Sequence, residues 1–332
     1  MDEGPFQQVQ QLSTFFFVSR ALHVVAELGV ADVLGEDASP VGAVAAATGS
    51  DADALSRLLR LLSSYGIFEL RGASVSHTPA SELLRSDHPS SIRDFVRMTS
   101  LPVVWRSAER LLDSVRTGEA AAAQAFPGDG FWGYLAKHPD EARLFDAAMT
   151  ARARGQIGAI VAAHDFSKYR SVADIGGGRG HLLRAILAAH PGVRGVLFDL
   201  PHVVEAARSR CEPDDRLTFT AGDFFKDELP RCDAYILMEI LHDWSDEPAR
   251  DIVSAVRRAA APDSKLLVIE TVVPEGPAPD WSKILDVIML ALFAGRQRAA
   301  KEYGELLRKG GFELRSEVDT GAGISVFEAE PV

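Results

Sequence analysis

Residues 171–191 read SVADIGGGRGHLLRAILAAHP, and this stretch limits what the chain can fold into more than any other. A short apolar strand, Val172 to Ile175, runs into Gly176, Gly177, Gly178, Arg179 and Gly180. A helix with apolar spacing at Leu182, Leu183, Ile186 and Leu187 follows. Glycines at such a junction let the backbone come close to a ligand and aim amide N–H groups at it from a helix N-terminus. A dinucleotide-binding loop does not fit. G-x-G-x-x-G starting at Gly176 needs glycine where His181 stands, and starting at Gly177 it needs glycine at Arg179. A phosphate-binding P-loop fits less well, because no Gly-Lys-Ser/Thr follows. With Asp174 inside the strand, the pattern is D-x-G-x-G-x-G.

From Tyr169 onward, short β-rich runs (RSVADIGGG, VRGVLFDL, RLTFTAGDFF, RCDAYILMEIL, SKLLVIETVV) alternate with helical patterns. That spacing predicts βαβ units and a parallel sheet. The last two runs, GFELRSEV and GISVFEAEP, are separated by only a few residues including Gly321 and Gly323, too few for a parallel crossover. They are expected to form an antiparallel hairpin at one sheet edge. Before about residue 160 the apolar residues recur at helical spacing, as in Leu55, Leu58, Leu59 and Leu62. The expected organisation is a helical region over 1–100, a helical connector over 101–160 and a three-layer α/β domain over 161–332.

Within the first region, two helices joined through Gly49 and Ser50, with Asp51 as N-cap and a short hairpin after them, match a winged helix-turn-helix. Charge decides what it is for. The chain carries 35 Lys and Arg against 47 Asp and Glu, a net −12, and no basic half is hidden: there are 14 basic and 19 acidic residues up to position 160. The second helix offers only Arg57 and Arg60, partly offset by Asp51 and Asp53. A nucleic-acid reader would present a basic face. A scaffold or dimerisation role is therefore expected, and the apolar first forty residues (Phe15, Phe16, Phe17, Val18, Leu22, Val24, Val25, Leu28) are expected to pair with a second copy. No run of 18 apolar residues exists, and Asp2 and Glu3 stand where a signal peptide wants basic residues, so the chain reads as a soluble protein of the cytoplasm. The two cysteines, Cys211 and Cys232, are read as free thiols.

Two more acids fall at successive strand ends. Asp199 lies 21 residues after Gly178, where a carboxylate accepts hydrogen bonds from ribose hydroxyls. Asp223, followed by Phe224, suits the amine and the ring face of an adenine. Acids around the loop suit an adenosyl ligand without phosphates.

The chain resembles the class I S-adenosylmethionine-dependent methyltransferases, and more narrowly the small-molecule O-methyltransferases that include plant caffeate-type enzymes and bacterial polyketide- and antibiotic-tailoring enzymes. The resemblance rests on DIGGGRG, FDLPHVVEAA, GDFF, LHDWSDE and DVIML and spans nearly the whole chain. It implies a Rossmann-like seven-stranded sheet behind an all-α, winged-helix-containing dimerisation domain, a homodimer, and a small aromatic substrate between the domains. S-adenosyl-L-methionine would sit at the strand ends against Asp174, Gly176, Gly178, Asp199, Leu200, Gly222, Asp223 and Phe224, leaving as S-adenosyl-L-homocysteine. No metal, nucleic acid or membrane partner is implied.

His242, immediately beyond the fourth strand, lies on the ligand side of such a sheet. The resemblance makes it the general base for a phenolic hydroxyl, with Glu270 orienting the imidazole. The second acidic partner falls at Gln297, which can orient the ring through its amide but weakens the electrostatic support of an imidazolium. Met238 departs likewise from the lysine of many plant relatives. Asp243 either supports the base or contacts cofactor, and Arg152 either binds the methionine carboxylate or is a surface charge. The acceptor pocket is expected to use Trp105, Phe131, Trp132, Phe145, Met149, Asp286, Met289 and Phe293, with Arg296 and Arg298 available to an acidic aromatic substrate. The alternatives are a cofactor-binding relative with diverted or lost methyl transfer, and a winged-helix regulator with a metabolite-sensing α/β domain.

Overall fold

A computed structural model describes residues 4–209 and 211–332, so Asp2 and Glu3 lie outside the described residues. The chain forms two compact units: residues 1–105 with 135–152, and residues 106–134 with 153–332.

The first unit starts with the helix Pro5–Glu27, buried only toward its end at Ala21, His23, Val25 and Ala26. Its earlier part leaves Phe6 (79% exposed), Val9, Leu12, Phe16 and Phe17 (61%) in the open. Helices Val41–Thr48 and Ala52–Ser63 follow, and the Asp51 carboxylate caps the second by accepting from the Ala54 N–H at 2.8 Å. The chain then folds into β2 (Glu69–Arg71) and β3 (Ser74–Ser76), which join β1 (Ser39–Pro40) in a small antiparallel sheet of order β1-β3-β2. One cluster holds these pieces together: Val25, Val30, Leu34, Val44, Leu55, Leu59, Leu62, Phe68 and Val75 are all buried. Leu55, Leu59 and Leu62 are the inward stripe that helical spacing requires, and Leu58 sits half-buried at its margin.

The second unit is built on seven strands: β4 (Ser171–Ile175), β5 (Arg194–Asp199), β6 (Leu217–Ala221), β7 (Ala234–Met238), β8 (Lys265–Glu270), β9 (Phe312–Asp319) and β10 (Ser325–Pro331). Their order is β6-β5-β4-β7-β8-β10-β9. The first five pair in parallel, whereas β10 runs antiparallel to both β8 and β9, giving the expected hairpin edge. Central strands such as AYILM and KLLVIE are near-continuous apolar runs because helices cover both faces of the sheet. On one face, helix His181–Ala189 buries Leu182, Leu183 and Ile186. On the other, helices Asp246–Ala259 and Ala300–Lys309 bury Ile252, Val256, Leu306 and Leu307. The chain leaves β4 toward β5 and β6 and returns to β7 on the other side. The order therefore reverses between β4 and β7, and their carboxyl ends open the crevice where such sheets take ligands.

Among the described residues, no helix is long and apolar enough to cross a membrane. No group of three or more His, Cys, Asp or Glu among them is placed to hold a metal ion.

Candidate active site

The β4 turn supplies one wall of the site. Gly176 and Gly178 adopt φ of +71° and +57°, the left-handed region that favours glycine. A side chain at Gly176 would also strike Ile240, with a Cβ only 2.6 Å from its Cδ1. The Gly178 N–H donates to Asp199 Oδ2 at 2.8 Å, and the Leu200 N–H donates to Asp199 Oδ1 at 2.7 Å. Each carboxylate oxygen keeps further lone-pair capacity for hydroxyl donors. Burial raises the pKa of Asp199 and pushes Asp174, deep in the sheet, up to about 7, with the Asp199 charge adding to the latter. Asp199, beside a glycine turn that lets a ligand come close, offers carboxylate acceptors suited to hydroxyl donors and not to phosphate, so these residues fit an adenosyl group.

Beyond β6 the placement differs from the strand-end reading. The strand stops at Ala221, and Asp223 lies in the turn after it, accepting from the Phe225 N–H and pairing with Lys226 at 2.8 Å. The Lys226 ammonium and that N–H hold its carboxyl below the usual range. Gly222 is needed for packing, since a Cβ there would lie 2.6 Å from the Phe198 ring. Phe224 is half-buried, edge-on to Phe225 at 4.8 Å.

His242 sits in the 3-10 turn Leu241–Asp243, just past β7, and is buried. Its Nδ1 lies 2.9 Å from Glu270 Oε2 and 3.0 Å from the Gln297 amide nitrogen Nε2; its own Nε2 lies 3.4 Å from Asp243 Oδ1. Glu270, fully buried at the end of β8, also accepts from the backbone N–H groups of Leu241 (2.9 Å) and His242 (3.3 Å) through Oε1. Burial pulls the imidazole pKa down, but the charges of Glu270, Asp243 and Glu239 outweigh it and push His242 up to about 9. With Gln297 in place of a second acid, Glu270, Asp243 and Glu239 supply the negative charge around the ring.

The segment from Ala294 to Arg298 was not singled out as a unit by its sequence, yet it shapes this turn. Gly295 packs directly on the turn's backbone: a Cβ there would collide with the His242 carbonyl oxygen and lie 2.6 Å from the Asp243 carbonyl carbon. The Arg296 N–H donates to the His242 carbonyl at 2.9 Å, and the Gln297 N–H to Asp286 Oδ1 at 2.8 Å. Gly295→Ala is expected to cost about 1–3 kcal/mol by overpacking, and to lower kcat by shifting the turn. Chemical denaturation and steady-state kinetics check both.

Asp286, Met289 and Phe293 recur at helical spacing on Trp281–Phe293. Phe293 stacks on Trp132 (5.5 Å, 27°), which is 53% exposed, and meets Phe131 edge-on at 4.9 Å. Trp105, Phe145, Met149 and Arg152 belong to the first unit. There Trp105 is edge-on to the buried His23, with the Arg20 guanidinium 5.4 Å over its ring. Phe145, Met149 and Arg152 are half-buried along Pro139–Ala163. The two arginines considered for an acidic substrate are engaged within the protein: Arg296 pairs with Asp246 and Glu302, and Arg298 is buried.

A family model for an O-methyltransferase domain matches residues 108–313, and one for an O-methyltransferase dimerisation domain matches residues 10–87. The chain belongs to the O-methyltransferase family. This methyltransferase is 40% identical over 326 residues to a phenazine O-methyltransferase of Lysobacter antibioticus, covering 97% of this chain and 95% of that one. It is 37% identical to a mitomycin biosynthesis 6-O-methyltransferase of Streptomyces lavendulae, covering 92% and 88%. Among solved structures, it matches an O-methyltransferase from neocarzinostatin biosynthesis in complex with S-adenosylmethionine and 2-hydroxy-5-methyl naphthoic acid. That match has a TM-score of 0.79 at 32% identity and covers 95% and 96% of the two chains. The seven-stranded sheet and helical dimerisation region are those of the methyltransferase fold.

Proposed function

We propose that this methyltransferase transfers a methyl group from S-adenosylmethionine to a phenolic hydroxyl of a small aromatic or polyketide-derived metabolite, with His242 as general base. The observation that carries the reading is the buried His242–Glu270 pair, 2.9 Å apart, beside the crevice where the strand order reverses. Relatives named for phenazine and mitomycin methylation, and one solved with a hydroxynaphthoic acid, support the substrate class and the tailoring role.

S-adenosylmethionine, when bound, supplies an electrophilic methyl carbon on a cationic sulfur that leaves as a neutral thioether. Asp199 would take the ribose hydroxyls, with Asp174, Gly176, Gly178, Leu200, Gly222 and Phe224 around the nucleoside. Asp223, despite its Lys226 partner, retains acceptor capacity for the adenine amine. Arg152 and Asp243 are assigned to the methionine end. Trp105, Trp132, Phe145, Met149, Asp286, Met289 and Phe293 are assigned to the acceptor side, together with Arg296, whose guanidinium is part exposed and keeps N–H donors beyond those paired with Asp246 and Glu302. Residues 1–100 are assigned to homodimer formation, 101–160 to the acceptor pocket and 161–332 to cofactor binding, in a cytoplasmic enzyme.

Glu270 fixes the tautomer. A carboxylate at Nδ1 keeps the proton there and leaves the lone pair on Nε2, the nitrogen that receives the phenolic proton as the oxygen attacks. The resulting imidazolium is held between Glu270 at Nδ1 and Asp243 at Nε2. A phenol near pKa 10 and a base raised to about 9 are well matched, so the proton moves with little thermodynamic cost. Positioning oxygen, methyl carbon and sulfur in line supplies the rest.

The test is turnover of a panel of hydroxyaromatics with S-adenosylmethionine, read by product mass spectrometry. An added methyl on a phenolic oxygen, lost when Asp199→Ala weakens S-adenosylhomocysteine binding, is the expected result. Methylation confined to amines or carboxyls would overturn the phenolic assignment.

A further inference from the structure

Glu270 satisfies the N–H side of the turn that carries His242. The carbonyl side of that turn is held by a different group. Arg298 is 1% exposed and uses every arm of its guanidinium: Nη1 donates to the Leu241 carbonyl at 2.9 Å and to the Arg296 carbonyl at 3.4 Å, Nη2 to the Trp244 carbonyl at 3.0 Å, and Nε and Nη2 to Asp246 Oδ1 at 3.2 and 2.9 Å. Leu241 and Trp244 flank His242, so the two captured carbonyls fix both ends of its turn. The arginine's own backbone is tied to the segment just beyond β8: the Val273 N–H donates to the Arg298 carbonyl at 3.0 Å, and Val272 bridges to Arg298. Glu270 ends that same strand. The carboxylate and the guanidinium therefore grip opposite polar faces of one turn from one rigid frame.

We propose that Arg298 is a positioning residue that holds the His242 turn at the height where Nδ1 meets Glu270 and Nε2 faces the acceptor. The inference rests on the reading of His242 as general base. Arginine is required by geometry, because a planar fork reaches separated carbonyls and a carboxylate together. A lysine ammonium donates from one point and cannot. The long reach also explains why Gln297 lies between: the loop that delivers Arg298 to the turn delivers Gln297 to the imidazole on the way.

The test uses the full chain with 15N-labelled histidine, the His242 imidazole resonance being assigned by its loss in His242→Gln. Arg298→Lys keeps the charge and removes the fork. Its His242 titration is expected to fall from about 9 toward the ordinary imidazole range. Its kcat per folded molecule is expected to fall about 10- to 100-fold, with the KM for S-adenosylmethionine within about twofold of wild type. Combined with His242→Gln, it should lower kcat no further than His242→Gln alone. Asp246→Asn leaves the carbonyl grip but loosens the guanidinium, and should move both readouts in the same direction by less; it carries the test should Arg298→Lys not fold. A wild-type His242 titration in the folded variants, or a kcat loss that only tracks the folded fraction with an unchanged pH profile, overturns the proposal. If His242→Gln itself keeps wild-type turnover, the base reading fails, while the imidazole titration still decides whether Arg298 holds the ring.

Discussion

His242→Gln is expected to lower kcat by about two to four orders of magnitude, the usual worth of a positioned general base, while S-adenosylhomocysteine binding measured by calorimetry stays within about twofold. Glutamine has a similar reach and can still bond Glu270, so the turn should persist and the loss should report proton transfer. The pH profile gives a second signature. With the imidazole near 9, only about 1% of the free enzyme carries a neutral His242 at pH 7, so wild-type kcat/KM should rise about tenfold per pH unit between 6 and 8 and level off near 9. In His242→Gln that limb should disappear. An enzyme that kept both its rate and its alkaline rise without the imidazole would have another base.

Glu270→Ala should be the most destabilising single change at the site. It removes the carboxylate opposite a buried imidazolium and leaves the Leu241 and His242 N–H groups without their acceptor. Breaking a buried pair in this way costs about 3–5 kcal/mol, because the surviving partner stays desolvated and uncompensated. The pH dependence has a definite sign. His242 titrates higher in the folded chain than its ordinary value of 6.5, so its pairing contributes fully below about pH 6.5 and is lost as pH rises through about 9. Wild-type stability from this pair should therefore decline across that window, and the deficit of Glu270→Ala should be widest at pH 6 and narrow toward pH 9.5. Urea unfolding at a series of pH values measures both. A deficit that widened with pH would contradict the raised imidazole pKa.

The features legible in the sequence are those governed by neighbours in the chain. The glycine turn after β4 was legible because a strand, left-handed glycines and a helix succeed one another within a few residues. The reach from Gly178 to Asp199 was legible because one βα crossover separates them. Asp51 could be read as a cap since a helix N-terminus is satisfied locally, three residues on. Asp223 shows the limit of that logic: read as a strand-end acid, it lies in the turn after β6 and pairs with Lys226 three residues on. Arg298 shows it more sharply. Two arginines near a substrate helix read equally well as substrate contacts, and nothing within the segment reports that the acceptors of one of them lie 52 to 57 residues earlier.

What the sequence alone determined was the βαβ order, the hairpin edge, the net charge of the chain and the glycine turn after β4. These follow from periodicity, turn chemistry and net charge, all short-range or summed properties of the chain. The tertiary structure decided which polar groups are spent on the fold and which are left for chemistry. It set Glu270 and Gln297 on the same imidazole nitrogen, and it placed enough other carboxylates nearby to keep that imidazole basic without a second acid at 297. The reason is electrostatic: a pKa depends on every charge and on the water excluded within several ångströms. Those distances exist only once strands and loops far apart in sequence have packed.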